Sequence, residues 1–291
     1  MHTSGVVLAG GRSSRMGSPK SALDWHGCTL LYRTAAVLAR VVDGPVVVVR
    51  APAQALPDLP TGVDTVEDPV AGLGPMQGLA AGLGAVAGAG AGVAFACSTD
   101  LPFLHPAFIA RTLALLLAEP DADAVMPVVG GHRQPLAAAY RTALAPLLTG
   151  LLAEGDLRPK MLLRHCRVAL PSEAELLADP ELRRLDPELV SVRGVDTPEE
   201  YAAARAVPPP SVLVTGPDGG TWETAAATLG AAVAPGGGTV GRATRVTINH
   251  HPVPDDPRQP LVAGDRVTFR PAATTSPRAI HPGRPRGRST A

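Results

Sequence analysis

Cysteine is scarce and ill-placed for metal or disulfide chemistry. Cys28, Cys97 and Cys166 lie far apart, with no Cys-x-x-Cys and no Cys/His ligand spacing. An odd number of cysteines in a chain of 291 residues points to free thiols in a reducing compartment, so the expected location is cytoplasmic. Net charge is also missing, since 26 basic residues balance 26 acidic ones. That balance excludes the broad basic surface by which a protein binds nucleic acid or an anionic membrane. Lysine is almost absent: Lys20 and Lys160 stand beside 24 arginines. Such a bias reflects genome composition, yet it draws attention to the positions where a compact ammonium stands. No amino-terminal targeting segment is visible, because Val6–Ala9 is too short an apolar run. Leu79–Cys97 lacks charge and imitates a membrane span, but glycine and alanine dominate it. A helix to about Val86, a Gly-Ala turn over Gly88–Gly92 and a buried strand Val93–Ala96 account for it better.

What is present is alternation. Val6–Leu8, Val46–Val49, Val93–Ala96, Ala124–Val129 and Val190–Val192 read as buried strands, with a further strand at Leu136–Tyr140. Leu30–Val41, Pro75–Val86, Pro106–Ala118 and Thr142–Ala153 read as helices, several opening on a Pro or Thr suited to a first turn. The pattern predicts an α/β class, a mostly parallel sheet flanked by helices, with ligands bound beyond the carboxyl ends of its strands. Pro198–Ala206 reads as a closing helix capped by Thr197. The stiff run of residues 207–210 then separates a domain of residues 1–206 from a smaller unit, residues 211–271. Residues 272–291, rich in Pro, Arg, Ser and Thr, are expected to be disordered.

Chemistry concentrates first at Leu8-Ala9-Gly10-Gly11-Arg12-Ser13-Ser14-Arg15-Met16-Gly17-Ser18-Pro19-Lys20, which follows the first strand directly. Glycines here let backbone N–H groups approach a phosphate, and Arg15 and Lys20 can neutralise its charge. The spacing is neither GxGxxG nor GxxxxGK[ST], so dinucleotide-fold and Walker-type readings both fail. The bland alternative is a strand-to-helix turn with surface basic residues. Asp100, in Thr99-Asp100-Leu101-Pro102, would sit at the carboxyl end of the Val93–Ala96 strand. Mg²⁺ commonly takes one or two carboxylates plus substrate phosphates, so one aspartate at that place suffices. An Asp-x-Pro by itself is usually a turn; its position favours the functional reading.

The full pattern LAGGxxxRMGxxK resembles that of the molybdenum cofactor guanylyltransferases. The likeness continues through Glu67-Asp68-Pro69, Gly74-Pro75-Met76-Gln77-Gly78, Ser98–Phe103 and Val195–Glu200, and covers residues 5 to 206 in the same order. The resemblance implies a nucleotide-diphospho-sugar transferase-like fold. It also implies nucleotide contacts at Leu8, Ala9, Gly10, Gly11, Lys20, Asp68 and Asp100, catalytic roles for Lys20, Asp100 and Arg15, and Mg²⁺ on Asp100. Asp196 stands where relatives often have asparagine, and is either a second metal ligand or a helix-capping or surface aspartate. Where the family often has asparagine after its second strand, this chain reads Val49-Arg50-Ala51.

The implied reaction transfers GMP from GTP to the terminal phosphate of molybdopterin and releases pyrophosphate. GTP and the molybdopterin cofactor are the expected partners, together with proteins that mature molybdoenzymes. The alternatives are a transferase using CTP on the same acceptor, or another NTP on a sugar or alcohol phosphate. From another class, a nucleotide-binding regulatory protein without catalysis also fits, although Lys20 and Asp100 speak against it. Gly74–Gly78 resembles the guanine-specific pattern more than the cytosine one. His132 and Arg133, and Leu157-Arg158-Pro159-Lys160, fall where the family meets its acceptor, but are equally ordinary surface. His250 and His251 read as exposed loop histidines without ligand partners.

In the smaller unit, Ser211–Val214, Thr244–Ile248 and Arg266–Phe269 read as strands and Trp222–Ala232 as a helix. Ile248–Val253 with Leu261–Val267 resembles the ubiquitin-like sulfur carrier of molybdopterin synthase. Carrier chemistry requires a C-terminal Gly-Gly, and none closes this sequence. The expectation is a small α+β, β-grasp-like module, degenerate as a carrier, attached to a catalytic domain that functions alone.

Overall fold

The structure is a computed structural model. It describes residues 2–10, 16–17, 19–69, 74–155, 162–233 and 244–271.

Strand β1 (His2–Leu8) leads through the glycine loop to a short hairpin, β2 (Asp24–Trp25) and β3 (Cys28–Thr29), which opens helix α1 (Leu30–Ala39). The Thr29 hydroxyl accepts from the Tyr32 N–H and caps that helix. Then come β4 (Val46–Arg50), β5 (Val63–Glu67), α2 (Pro75–Gly88), β6 (Ala91–Ser98) and α3 (Pro106–Ala118). Next are β7 (Ala124–Val125), the hairpin of β8 (Val128–Val129) and β9 (His132–Arg133), β10 (Ala137–Arg141) and α4 (Ala145–Ala153). The domain finishes with α5 (Leu162–His165), β11 (Val168–Ala169), α6 (Glu173–Leu176), α7 (Pro180–Leu185) and α8 (Pro198–Arg205). The smaller unit holds β12 (Ser211–Thr215), β13 (Thr221–Ala225), α9 (Leu229–Val233), β14 (Thr244–Ile248), β15 (His251–Val253) and β16 (Arg266–Pro271).

The main sheet has seven strands in the order β11-β7-β10-β6-β1-β4-β5. It is mixed: β10 runs antiparallel to both β6 and β7, while β1 is parallel to β4 and β6. Alternation along the strands splits the core into two layers. Val7, Val48, Phe95 and Cys97 face α1 and α3, whereas Val6, Leu8, Val47 and Ala96 face α2 and α4. The glycines of α2 have a use here. A Cβ on Gly82 would lie 2.4 Å from Val6 Cγ1, and one on Gly78 would lie 3.2 Å from Leu8 Cδ2, so their bareness lets the helix lie on β1. Among the described residues no helix is long and apolar enough to cross a membrane.

Three expectations are corrected. Ala124–Val129 divides into β7 and β8, because Pro127 offers no N–H to a ladder. Val190–Val192 forms a 3₁₀ turn, since the Asp186 carboxylate accepts from the Val190 and Ser191 N–H groups at 2.7 and 3.0 Å. Trp222–Ala232 is helical only from Leu229; Thr221–Ala225 pairs with β12 as a hairpin strand. The tight Gly216–Gly220 turn, with Gly219 at φ 84°, brings the Thr-Trp-Glu-Thr alternation back along β12.

The second sheet has the order β13-β12-β16-β14-β15, so its five strands lie second, first, fifth, third, fourth. Its own core is small, built from Val212, Val214, Leu229, Val246, Ile248, Val267 and Phe269 among others. Much of its support comes from the main domain. Arg40 at the end of α1 makes a two-pronged ion pair with Asp265, at 2.9 and 2.5 Å, with the Asp265 side chain only 1% exposed. Tyr32 donates to Asp256 at 2.9 Å, and Val262 enters the main core. These contacts tie the smaller unit to α1 and to the main core.

His105 belongs to the same seam. Its Nδ1 accepts from the Ala107 N–H, capping α3, which leaves Nε2–H to donate to Ala263 O at 3.0 Å. Burial lowers its pKa, with opposing help from that carbonyl and from Asp265 and Asp186.

Replacing Arg40 by Ala is expected to lower stability by about 3 kcal/mol, because a buried carboxylate loses its cation. Arg40→Met combined with Asp265→Asn, which keeps an acceptor for the Val262 N–H, should recover part of that loss in chemical denaturation. For His105 the lowered folded pKa means stability is full above the ordinary value of about 6.5 and declines as pH falls from there toward the folded pKa. His105→Asn, which keeps a capping group, should flatten that decline in Tm measured from pH 7.5 downward.

Candidate active site

The carboxyl ends of β1, β4, β5 and β6 open onto one cavity of about 660 Å³. Its lining includes Leu8, Ala9 and Gly10 from β1, Arg50, Ala51 and Gln54 after β4, Asp68 after β5, and Ser98–Asp100 after β6. Lys20 and the start of α2, Gly74 and Pro75, complete the described walls. Parallel strands place these segments side by side, which is why ligands collect at this edge. Gly10 matters sterically: a Cβ there would meet the Ala51 backbone nitrogen at 3.3 Å.

One cation organises the polar end. Lys20 Nζ donates to Asp100 Oδ2 at 2.7 Å and to Asp196 Oδ1 at 2.5 Å. Burial works against its charge, but the hydrogen bonds and charges of Asp100 and Asp196 outweigh burial and raise its pKa above the ordinary lysine value. Lys20 is therefore an ammonium throughout the neutral range. Asp100 is held from both sides, by the Ser98 hydroxyl on Oδ1 and by the Val195 N–H on its backbone oxygen at 3.0 Å. Asp196 does not cap α8. Thr197 and Glu200 form the capping box, and Glu200 also accepts from the Asp196 N–H at 2.7 Å, so the Asp196 carboxylate turns toward Lys20.

The wall nearest β4 holds residues that sequence reasoning missed. Gln54 donates to Ala9 O at 3.0 Å and accepts from the Ala51 N–H at 2.9 Å, joining the loops after β1 and β4. Arg50 braces it by donating to Gln54 O at 2.9 Å and to Glu67 Oε2 at 2.7 Å. The Asp68 N–H donates to Arg50 O at 2.8 Å, which seats Asp68 against the same wall. The only hint in the sequence was negative, the missing asparagine at Val49-Arg50-Ala51.

Two carboxylates converging on one cation make a donor set suited to a hard divalent ion. Among the described residues no cluster of three or more His, Cys, Asp or Glu could hold a metal. Asp100 and Asp196 would therefore need substrate oxygens to complete a coordination sphere. Cysteine chemistry is closed: burial pushes Cys28 and Cys166 up to about 11, and Cys97 higher still. His132 and Arg133 lie on the exposed hairpin strand β9, and His250 and His251 are likewise exposed. Gly11, Arg15 and the segment 157–160 lie outside the described residues.

Residues 5–170 match the family described as MobA-like NTP transferase domain. A relative from Mycobacterium tuberculosis (strain H37Rv), named "Probable molybdenum cofactor guanylyltransferase", is 40% identical over 154 residues, covering 52% of this chain and 74% of that protein. One of the same name from Mycobacterium avium (strain 104) is 37% identical over 187 residues, covering 64% of this chain and 89% of its own. Among solved structures, molybdopterin-guanine dinucleotide biosynthesis protein A from Archaeoglobus fulgidus aligns with a TM-score of 0.54 at 22% identity, over 70% of this chain and 97% of that one. At that identity the likeness speaks for the fold. With the family match running over more than half of its length and these relatives covered over most of theirs, the chain belongs to the MobA-like NTP transferase domain family.

Proposed function

We propose that this protein is a molybdenum cofactor guanylyltransferase, which transfers GMP from GTP to the terminal phosphate of molybdopterin. The observation that carries the reading is the Lys20 ammonium shared by Asp100 and Asp196 at the mouth of a strand-end cavity. A phosphate oxygen of the acceptor attacks the α-phosphorus of GTP, the bond from that phosphorus to the bridging oxygen breaks, and pyrophosphate leaves. The attacking oxygen is already anionic near neutrality, so the site needs no strong general base. Catalysis rests on position and charge. The Leu8–Gly10 backbone receives the nucleotide, and Gln54 fixes that backbone against the loop after β4. Asp68 lies on the same wall, and Lys20 carries positive charge to the phosphates. Arg15 and Gly11 are proposed to assist from the glycine loop. Asp100, with Asp196 opposite, would hold Mg²⁺, which when bound supplies further neutralisation and polarises the phosphoryl oxygens.

The unit of residues 211–271 is proposed as a β-grasp-like module. Its strand order, with α9 following the second strand, supports that reading. Its role here is to brace the catalytic domain, not to carry sulfur, and the proposed boundaries remain 1–206, 207–210, 211–271 and 272–291.

Asp100→Asn should reduce pyrophosphate release from Mg-GTP and molybdopterin by on the order of 10²-fold or more while leaving Tm nearly unchanged. Near-normal turnover of that variant at low Mg²⁺ would remove Asp100 from the reaction. GTP should be turned over far better than CTP or ATP with the same acceptor, because a wrong base leaves buried polar groups unpaired. Equal turnover with CTP would overturn the guanine assignment and leave the transferase reading in place.

A further inference from the structure

We propose that a second cavity, at the seam between the two units, binds a small organic carboxylate with an apolar, ring-sized body, and that Arg33 anchors it. The cavity holds about 150 Å³ and is walled by Trp25, Phe103, Pro208, Pro210 and Val262. It shares no lining residue with the strand-end cavity. Trp25 and Phe103 meet edge to face, 5.5 Å between centroids, and present a fixed aromatic corner. An apolar space of this size accepts a body as large as benzene.

The polar feature of the space is a guanidinium without an ion-pair partner. Arg33, on α1, is only 6% exposed and lines the cavity. Its Nε donates to Pro102 O at 2.7 Å and its Nη1 to Leu261 O at 3.4 Å. Among the described residues no carboxylate lies within ion-pair distance of it, and Nη2 has no acceptor. Buried arginine is ordinarily paired, because the cost of removing a guanidinium from water is offset mainly by a carboxylate. The nearby carboxylate of Asp265 is already engaged by Arg40, Asn249 and the Val262 N–H.

The remaining ionisable groups around the space do not fill the gap. Asp186 is a carboxylate on the same wall, but it turns its two oxygens to the Val190 and Ser191 N–H groups and makes no ion pair with Arg33. His105 is neutral in the tautomer its two hydrogen bonds require. His26 offers no negative charge. A carboxylate entering from solvent would therefore meet a planar, preoriented donor and an apolar wall together, the combination that selects an organic acid over inorganic phosphate or a neutral ring.

The probe is benzoate, with benzamide as its neutral counterpart of nearly equal shape, titrated into the full chain. Binding is followed by tryptophan fluorescence and by Tm, and Trp25→Phe assigns the signal to the cavity rather than to Trp222. Benzoate should quench saturably and raise Tm, with benzamide weaker by at least about tenfold, as expected for a hydrogen bond between charged groups. Arg33→Gln should erase that preference, and Arg33→Lys should retain part of it. If Arg33→Gln does not fold, Ala227→Leu, which fills the same cavity and leaves the guanidinium intact, should abolish the benzoate response. The site is refuted by the absence of saturation with benzoate at tens of millimolar, by equal response to benzamide, or by a response undiminished in Ala227→Leu.

Discussion

The polar end of the strand-end cavity depends on one ammonium group placed between two carboxylates. Asp100 and Asp196 come from distant parts of the chain, one directly after β6 and the other just before α8. Brought together without a cation they would repel one another, and the junction between the β6 loop and α8 would open. Lys20 closes it, and the surrounding bonds confirm the arrangement's directionality: the Ser98 hydroxyl and the Val195 N–H orient Asp100, and Glu200 holds the backbone of Asp196. A chain so poor in lysine thus places one of its two at the point where a compact, fully charged group is wanted.

The sheet was legible because its interior strands are short continuous apolar runs that need no context to be recognised, as in Val46–Val49 and Val93–Ala96. Asp100 was legible for the same reason, standing immediately after such a run. Lys20 stands out by its place in the glycine-rich motif, but its meeting with Asp196 spans 176 positions and leaves no local trace. Gln54 is harder still, since a lone glutamine after a strand has no periodicity and no motif. In Trp222–Ala232, expected to be helical, the first residues belong to the Thr-Trp-Glu-Thr alternation that pairs with β12. Propensity there was overridden by pairing.

The seam between the units joins residues far apart in sequence and leaves no local trace there. Proline at positions 208–210 reads as a spacer, and those prolines also line the cavity at the seam. Arg33 on α1, Arg40 at its C-terminal end and His105 at the start of α3 all reach carbonyls or carboxylates of the smaller unit. Arg33 also holds Pro102 O, close to Asp100 along the chain. The C-terminal unit and the loop that carries Asp100 are thus fastened to the same side chain.

Gly78 and Gly82 have a consequence that reaches beyond packing. They lay α2 against β1 with nothing between, and the same helix contributes Gly74, Pro75 and Gly78 to the floor of the strand-end cavity. The height of that floor is set from beneath by side chains that do not exist. A single methyl at Gly82, which does not itself line the cavity, would act as a shim against Val6, raising the helix and making the cavity shallower. In this protein the depth of the strand-end cavity is a property of the helix's underside.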